Sequence, residues 1–200
     1  MIAMTESDIT ADGKLRRLDV ETLRMRVRLP AEHEPLLRSA RGTHALLDSL
    51  IRAGLLAEAS RLLAYALPAR EAVWWACICV NHTAHDMQLA EKQALDAAEA
   101  WVRRPDDAAR RQAAWAAAAA GYTLPGAWPA LAAYWTRSAV TGDTRGNRGV
   151  ETAVTQAAQR DDADRAPGRL RRFFVSAHDI AHGGMGRLPP ETPSTEAASR

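Results

Sequence analysis

The sequence predicts an all-α protein, a compact bundle of six to eight helices arranged as antiparallel hairpins around one central apolar helix. Three observations predict it. Of the 200 residues, 47% are apolar and they concentrate between about Ala45 and Ala139, enough for one core with weaker flanks. Alanine dominates these residues while Phe and Tyr are scarce, with 2 and 3 copies, a balance that favours close-packed helices over sheet. The stretch Ala72–Val80, AVWWACICV, is apolar around its whole circumference, so it has no face to give to solvent and belongs at the centre.

Residues 1–40 read as a polar leader ending in an extended element. Leu23, Met25, Val27 and Leu29 alternate with Arg24, Arg26 and Arg28, the period-two pattern of a short strand or arm, before a Pro30–Pro35 segment. The helical domain spans 41–184. Thr43 is a candidate N-cap, Leu46, Leu47, Leu50 and Ile51 form one helix face before Gly54, and Leu55, Leu56, Ala59, Leu62, Leu63 and Ala66 form the next up to Pro68. Pro68 suits the opening of the central helix, with Glu71 near the positive end of its dipole.

Trp74 and Trp75 anchor that helix, each ring able to bury on the order of 200 Å2. Cys77 and Cys79 are two apart, so on a helix they point about 200° away from each other and cannot pair; both read as buried thiols. Glu91–Arg104 is amphipathic through Leu95, Ala98, Trp101 and Val102. Pro105-Asp-Asp opens the following helix, whose Ala-rich body carries Trp115 and stops at Gly121. Leu124, Trp128, Leu131, Ala132 and Trp135 make one further apolar stripe, with Pro125 and Pro129 at its opening. The expected structural core is therefore Trp74, Trp75, Cys79, Trp101, Trp115, Trp128 and Trp135. A flexible loop is expected at 141–149, TGDTRGNRG, which lacks the spacing of a phosphate-binding loop. A helix at Val150–Gln159, a charged run, and an amphipathic helix at Leu170–His182 closed by Gly183-Gly184 complete the domain. Residues 185–200, rich in Pro, Ser, Thr and Glu, read as a disordered tail.

The charge balance, 26 Lys+Arg against 24 Asp+Glu for a formal +2, is far from what binding many phosphates requires, so nucleic acid is not an expected partner. Residues 1–30 hold no apolar signal region and no uncharged apolar run spans a bilayer; the expectation is a cytoplasmic protein without membrane insertion.

Chemistry-bearing patterns are thin. His178 and His182 stand four apart on the last helix, a spacing at which two imidazoles can share a zinc ion, and His82 with His85 is a second close pair. HDIAH lacks the Glu of HExxH, and Arg171 on the same stripe repels a cation, so a solvated face is the commoner meaning. His178-Asp179 resembles part of an HD-type phosphohydrolase site, yet no Asp follows Asp179 to complete it. With no nucleophile elbow, paired-carboxylate motif or dinucleotide fingerprint, neither an enzyme nor a cofactor is expected. The rival is a metal-dependent hydrolase in which His178, Asp179 and His182 are joined across the core by His82 or His85; a purely structural oligomer is the third reading. The Arg stripes at Arg103, Arg104, Arg110 and Arg111 and at Arg169, Arg171 and Arg172 are ordinarily solvated, but if they converged they would suit an acidic protein partner, with Arg103, Arg104, Arg171 and Arg172 as the binding candidates.

The block LLAEASRLLAYALPAREAVWWACICVNHT, the segment AEAWVRRPDDAARRQAAWAAAAAGYTLPGAWPALAAYW and the closing RRFFVSAHDIAHGG resemble an uncharacterised family of small helical bacterial proteins encoded near type VI secretion clusters. The resemblance covers roughly residues 45–184, with ALPxREAVWWACxC its most specific part, and departs from the family pattern at Thr141–Ala166, where members carry a proline-rich connection. It implies an accessory role beside a contractile secretion machine, as a cytosolic adaptor, chaperone or regulator binding another protein, and it names no catalytic residues.

Overall fold

The structure, a computed structural model, describes residues 13–136 and 143–192, which are helical with no strand among them. Ten α-helices follow in order: α1 Val20–Val27, α2 Glu34–Ser39, α3 Thr43–Arg52, α4 Leu56–Ala66, α5 Ala69–Thr83, α6 Leu89–Arg103, α7 Asp107–Ala120, α8 Ala127–Trp135, α9 Arg145–Gln159 and α10 Ala166–Ala181. All eight helices expected from the sequence are present as α3–α10. The breaks lie where chain chemistry puts them: Asp106 caps α7 by accepting from the Ala109 N–H at 2.8 Å, and α7 stops at Gly121, whose φ of 77° suits a residue without Cβ.

The extended arm expected at 23–29 is corrected to a helix. Asp19 caps α1 by accepting from the Thr22 N–H at 2.8 Å, and Leu23 and Val27, one turn apart, are buried while Arg24 and Met25 are exposed. Leu, Met and Arg are all good helix formers, and over so few residues a period of two and a spacing of four select the same pair of buried positions. α1 packs against α4, and α1 and α2 are the two helices beyond the expected number.

The central helix is α5, as the sequence implied. It touches α4, α6, α8, α9 and α10, and Trp75 at its heart is fully buried with its indole N–H donating to the Phe173 carbonyl of α10 at 2.9 Å. Cys77 and Cys79 are free buried thiols, and burial pushes both well above their ordinary pKa. Trp101 is buried as well, while Trp74, Trp128 and Trp135 are half-buried against the core.

α6, α7 and α8 each touch the other two, and α9 packs across α8, α5 and α4. The expected loop at 141–149 is corrected for 145–149, which form the opening of α9; residues 137–142 lie outside the described residues. Gly149 sits so close to α8 that a Cβ there would stand 2.9 Å from the Ala132 Cβ. The glycines that look like loop punctuation serve close helix approach instead.

The tail is also corrected where it is described. Residues 185–192 strap back across α10 and α5, whereas 193–200 lie outside the described residues. The Ser176 hydroxyl donates to the Gly186 carbonyl at 2.5 Å, the Gly186 N–H to Asp179 Oδ2 at 2.7 Å, and the Glu191 N–H to the His82 carbonyl at 2.7 Å. Glu191 is buried among three guanidinium groups, receiving Arg169 at 2.8 Å and Arg165 and Arg172 at 2.7 Å each. Burial raises the Glu191 pKa, but the hydrogen bond and charge of Arg169 and the charges of Arg165 and Arg172 outweigh it, leaving the carboxyl below its ordinary value. Arg169, itself buried, also donates to the carbonyls of Ala158 at 2.9 Å and Arg160 at 2.5 Å, closing the C-terminal end of α9. Among the described residues no helix is long and apolar enough to cross a membrane.

Candidate functional site

Trp115, expected in the core, is 75% exposed. The cause is helical geometry. α7 turns Ala113 and Ala117 inward, toward the neighbours α6 and α8, and a residue two positions from either points about 200° away. Trp115 therefore stands at the middle of the outer face. Arg111, Ala118 and Ala119 lie beside it at spacings that keep them on that face, and Tyr122, 52% exposed, follows in the turn after Gly121. The Tyr122 ring leans on Trp128 with centroids 6.2 Å apart, and its carbonyl accepts from the Trp128 indole at 3.0 Å, which fixes the turn between α7 and α8.

Among the described residues neither the Trp115 indole N–H nor the Arg111 guanidinium has a partner, so a polar handle accompanies each contact surface. Trp, Tyr and Arg are the residue types that dominate binding energy at protein interfaces, because they combine large apolar area with a directional donor. Small alanines around Trp115 leave room for a partner backbone to approach.

The arginines expected to bind a partner do not form one patch. Arg103 pairs with Glu99 at 3.6 Å, Arg104 with Asp106 at 2.7 Å, and Arg172 with Glu191, leaving exposed Arg171 as the unpaired one of the four among the described residues. α6 and α10 are not in contact, which keeps the two pairs apart.

His178 and His182 do come together, with ring centroids 4.2 Å apart, and His44 of α3 joins them at 5.2 and 6.0 Å. No sequence spacing signalled His44, which arrives from a distant helix. Burial, and then the neighbouring His182 and His44, lower the His178 pKa. His44 meets both rings edge to face while His178 and His182 are tilted by 31° to each other, and among the described residues no three His, Cys, Asp or Glu are placed to hold a metal ion. Asp179 is engaged by the Gly186 N–H. His82 is turned elsewhere: its Nε2 accepts from Arg172 Nε at 3.2 Å, which leaves Nδ1 to donate to the Pro189 carbonyl, and its ring meets Phe173. His85 faces a cleft at the end of the bundle. His82 and His85 thus do not join the His178–His182 pair.

A family model described as a family of unknown function, DUF6931, matches residues 46–181. No curated protein and no solved structure matches the chain.

Proposed function

The chain belongs to the DUF6931 family, and from that premise we propose that it is a non-enzymatic cytoplasmic accessory protein, an adaptor, chaperone or regulator, that docks another protein through the outer face of α7. The partner class this reading selects is a component of a bacterial type VI contractile secretion apparatus, on the strength of the sequence resemblance over residues 45–184. The observation that supports docking is Trp115, 75% exposed in a helix whose inner residues pack normally. Leaving so large a ring in water forgoes the stabilisation that core burial would give, on the order of 2–3 kcal/mol for a large apolar side chain, and a partner surface recovers it. Arg111 on the same face adds a charge, and the turn just after α7 exposes a second aromatic ring, Tyr122.

Affinity capture from the native bacterium, comparing the wild-type chain with Trp115→Ala, tests this reading. A secretion-apparatus protein should be captured by the wild type and lost from the variant, while the helical circular dichroism of both stays the same. Absence of any such protein from the wild-type capture, or equal capture by both chains, overturns it.

A further inference from the structure

α1 and α9 both pack against α4, and between them a cleft of about 300 Å3 opens over that helix. It is lined by Arg26 of α1, Arg28 just past the end of α1, Arg61 of α4 and Arg148 of α9, against one carboxylate, Glu151. Arg61 takes up that acid: its Nε donates to Glu151 Oε1 at 2.7 Å, and its Nη1 donates to the Val27 carbonyl at 2.8 Å. Arg28 and Arg148 are exposed, and neither they nor Arg26 has an acidic partner among the described residues. Four guanidinium groups against one carboxylate leave three positive charges uncompensated in the cleft, within a chain of formal charge +2.

Tyr65 of α4 adds what a merely solvated charge patch lacks. The residue is buried, only 8% exposed, yet it lines the cleft, and its hydroxyl has no hydrogen-bond partner among the described residues. That oxygen is not sealed into the core, so its donor opens to the cleft. The Arg26 guanidinium lies over the Tyr65 ring, 5.8 Å from its centroid, which holds the two groups together on one wall. A cation would be repelled here. A carboxylate brings one charge and two coplanar oxygens, and would leave most of the positive charge unmatched. A phosphoryl group brings about two charges and three oxygens that diverge from one another, so it can accept from separate guanidinium forks and from the phenol at once.

We infer that this cleft binds a small phosphate compound carrying more than one negative charge. The inference goes beyond protein docking by α7 and does not depend on it. Calorimetric titration of the full chain with inorganic pyrophosphate tests it, with citrate as a carboxylate polyanion for control. Saturable binding of pyrophosphate at a single site is expected, with citrate much weaker. The Arg28→Gln, Arg148→Gln double variant should weaken that binding about tenfold, since two charge-assisted contacts are removed. Both substitutions are at exposed positions, so unchanged circular dichroism shows that the fold is intact. Tyr65→Phe keeps the ring beneath Arg26 and removes only the hydroxyl; it should weaken binding about fivefold, an effect that loose attraction to a charged surface would not produce. Arg171→Gln, exposed on α10 and outside the cleft, should leave binding unchanged. No saturation by pyrophosphate at millimolar concentration, wild-type binding by the double variant or by Tyr65→Phe, an equal loss in Arg171→Gln, or citrate bound as tightly overturns the proposal. Tighter binding of an acetylated and amidated Ala-phosphoserine-Ala peptide overturns the assignment to a small molecule.

Discussion

Trp75 and Trp115 are the same residue put to opposite ends. Trp75 on α5 is fully buried, its N–H fixed to the Phe173 carbonyl, with helices on every side. Trp115 on α7 is 75% exposed, and only the alanines on the far side of its helix touch the core. The first ring determines how the bundle packs; the second is carried by the bundle and displayed. Side-chain size alone therefore says nothing of role, which depends on where the helix axis passes.

The largest effect that can sharpen this contrast is Trp75→Ala, expected to cost about 3–5 kcal/mol through lost burial and the cavity left behind, measured by chemical denaturation. If it cost no more than Trp115→Ala, the assignment of the core to α5 would fail. Next comes Glu191→Ala, expected to cost about 3 kcal/mol because buried Arg169 loses its counter-charge, and to expose the strap to proteolysis. An equally protected variant would show that the strap is held by its backbone contacts alone.

A smaller effect lies in pH. The folded Glu191 carboxyl sits below its ordinary value, so its contribution is fully present above the unfolded pKa of about 4.3 and is lost as pH falls through the folded value. Thermal midpoints of the wild type should drop more steeply below about pH 4 than those of Glu191→Gln; parallel profiles would remove Glu191 from the account. The smallest stability change is expected for Trp115→Ala, within about 0.5 kcal/mol, although it should have the largest effect on partner capture. A loss of several kcal/mol would mean that Trp115 packs on its own chain.

The helices were legible in the sequence because their stops are chemical: Gly54 and Gly121 end α3 and α7, Pro68 precedes α5, and Asp106 caps α7. Where a signal depended on which side of a helix faces inward, it failed. In α7 alanine occupies nine of the fourteen positions and lies on both faces, so no apolar stripe distinguishes the inner face, and the size of Trp115 is what suggests burial. α1 was too short for its period to separate helix from strand. Glu191 sits in a segment of Pro, Ser, Thr and Glu whose composition suggests solvent, and the three arginines that hold it come from elsewhere in the chain.

The grip on Glu191 also gives synthesis of this chain an order of events. Arg169 is made before the residue that neutralises it, so during translation α10 carries a guanidinium that cannot enter the interior without penalty. A chain cut short before Glu191 would therefore leave Arg169 with backbone carbonyls as its acceptors and no counter-charge, a cost set against closing α10 onto the bundle.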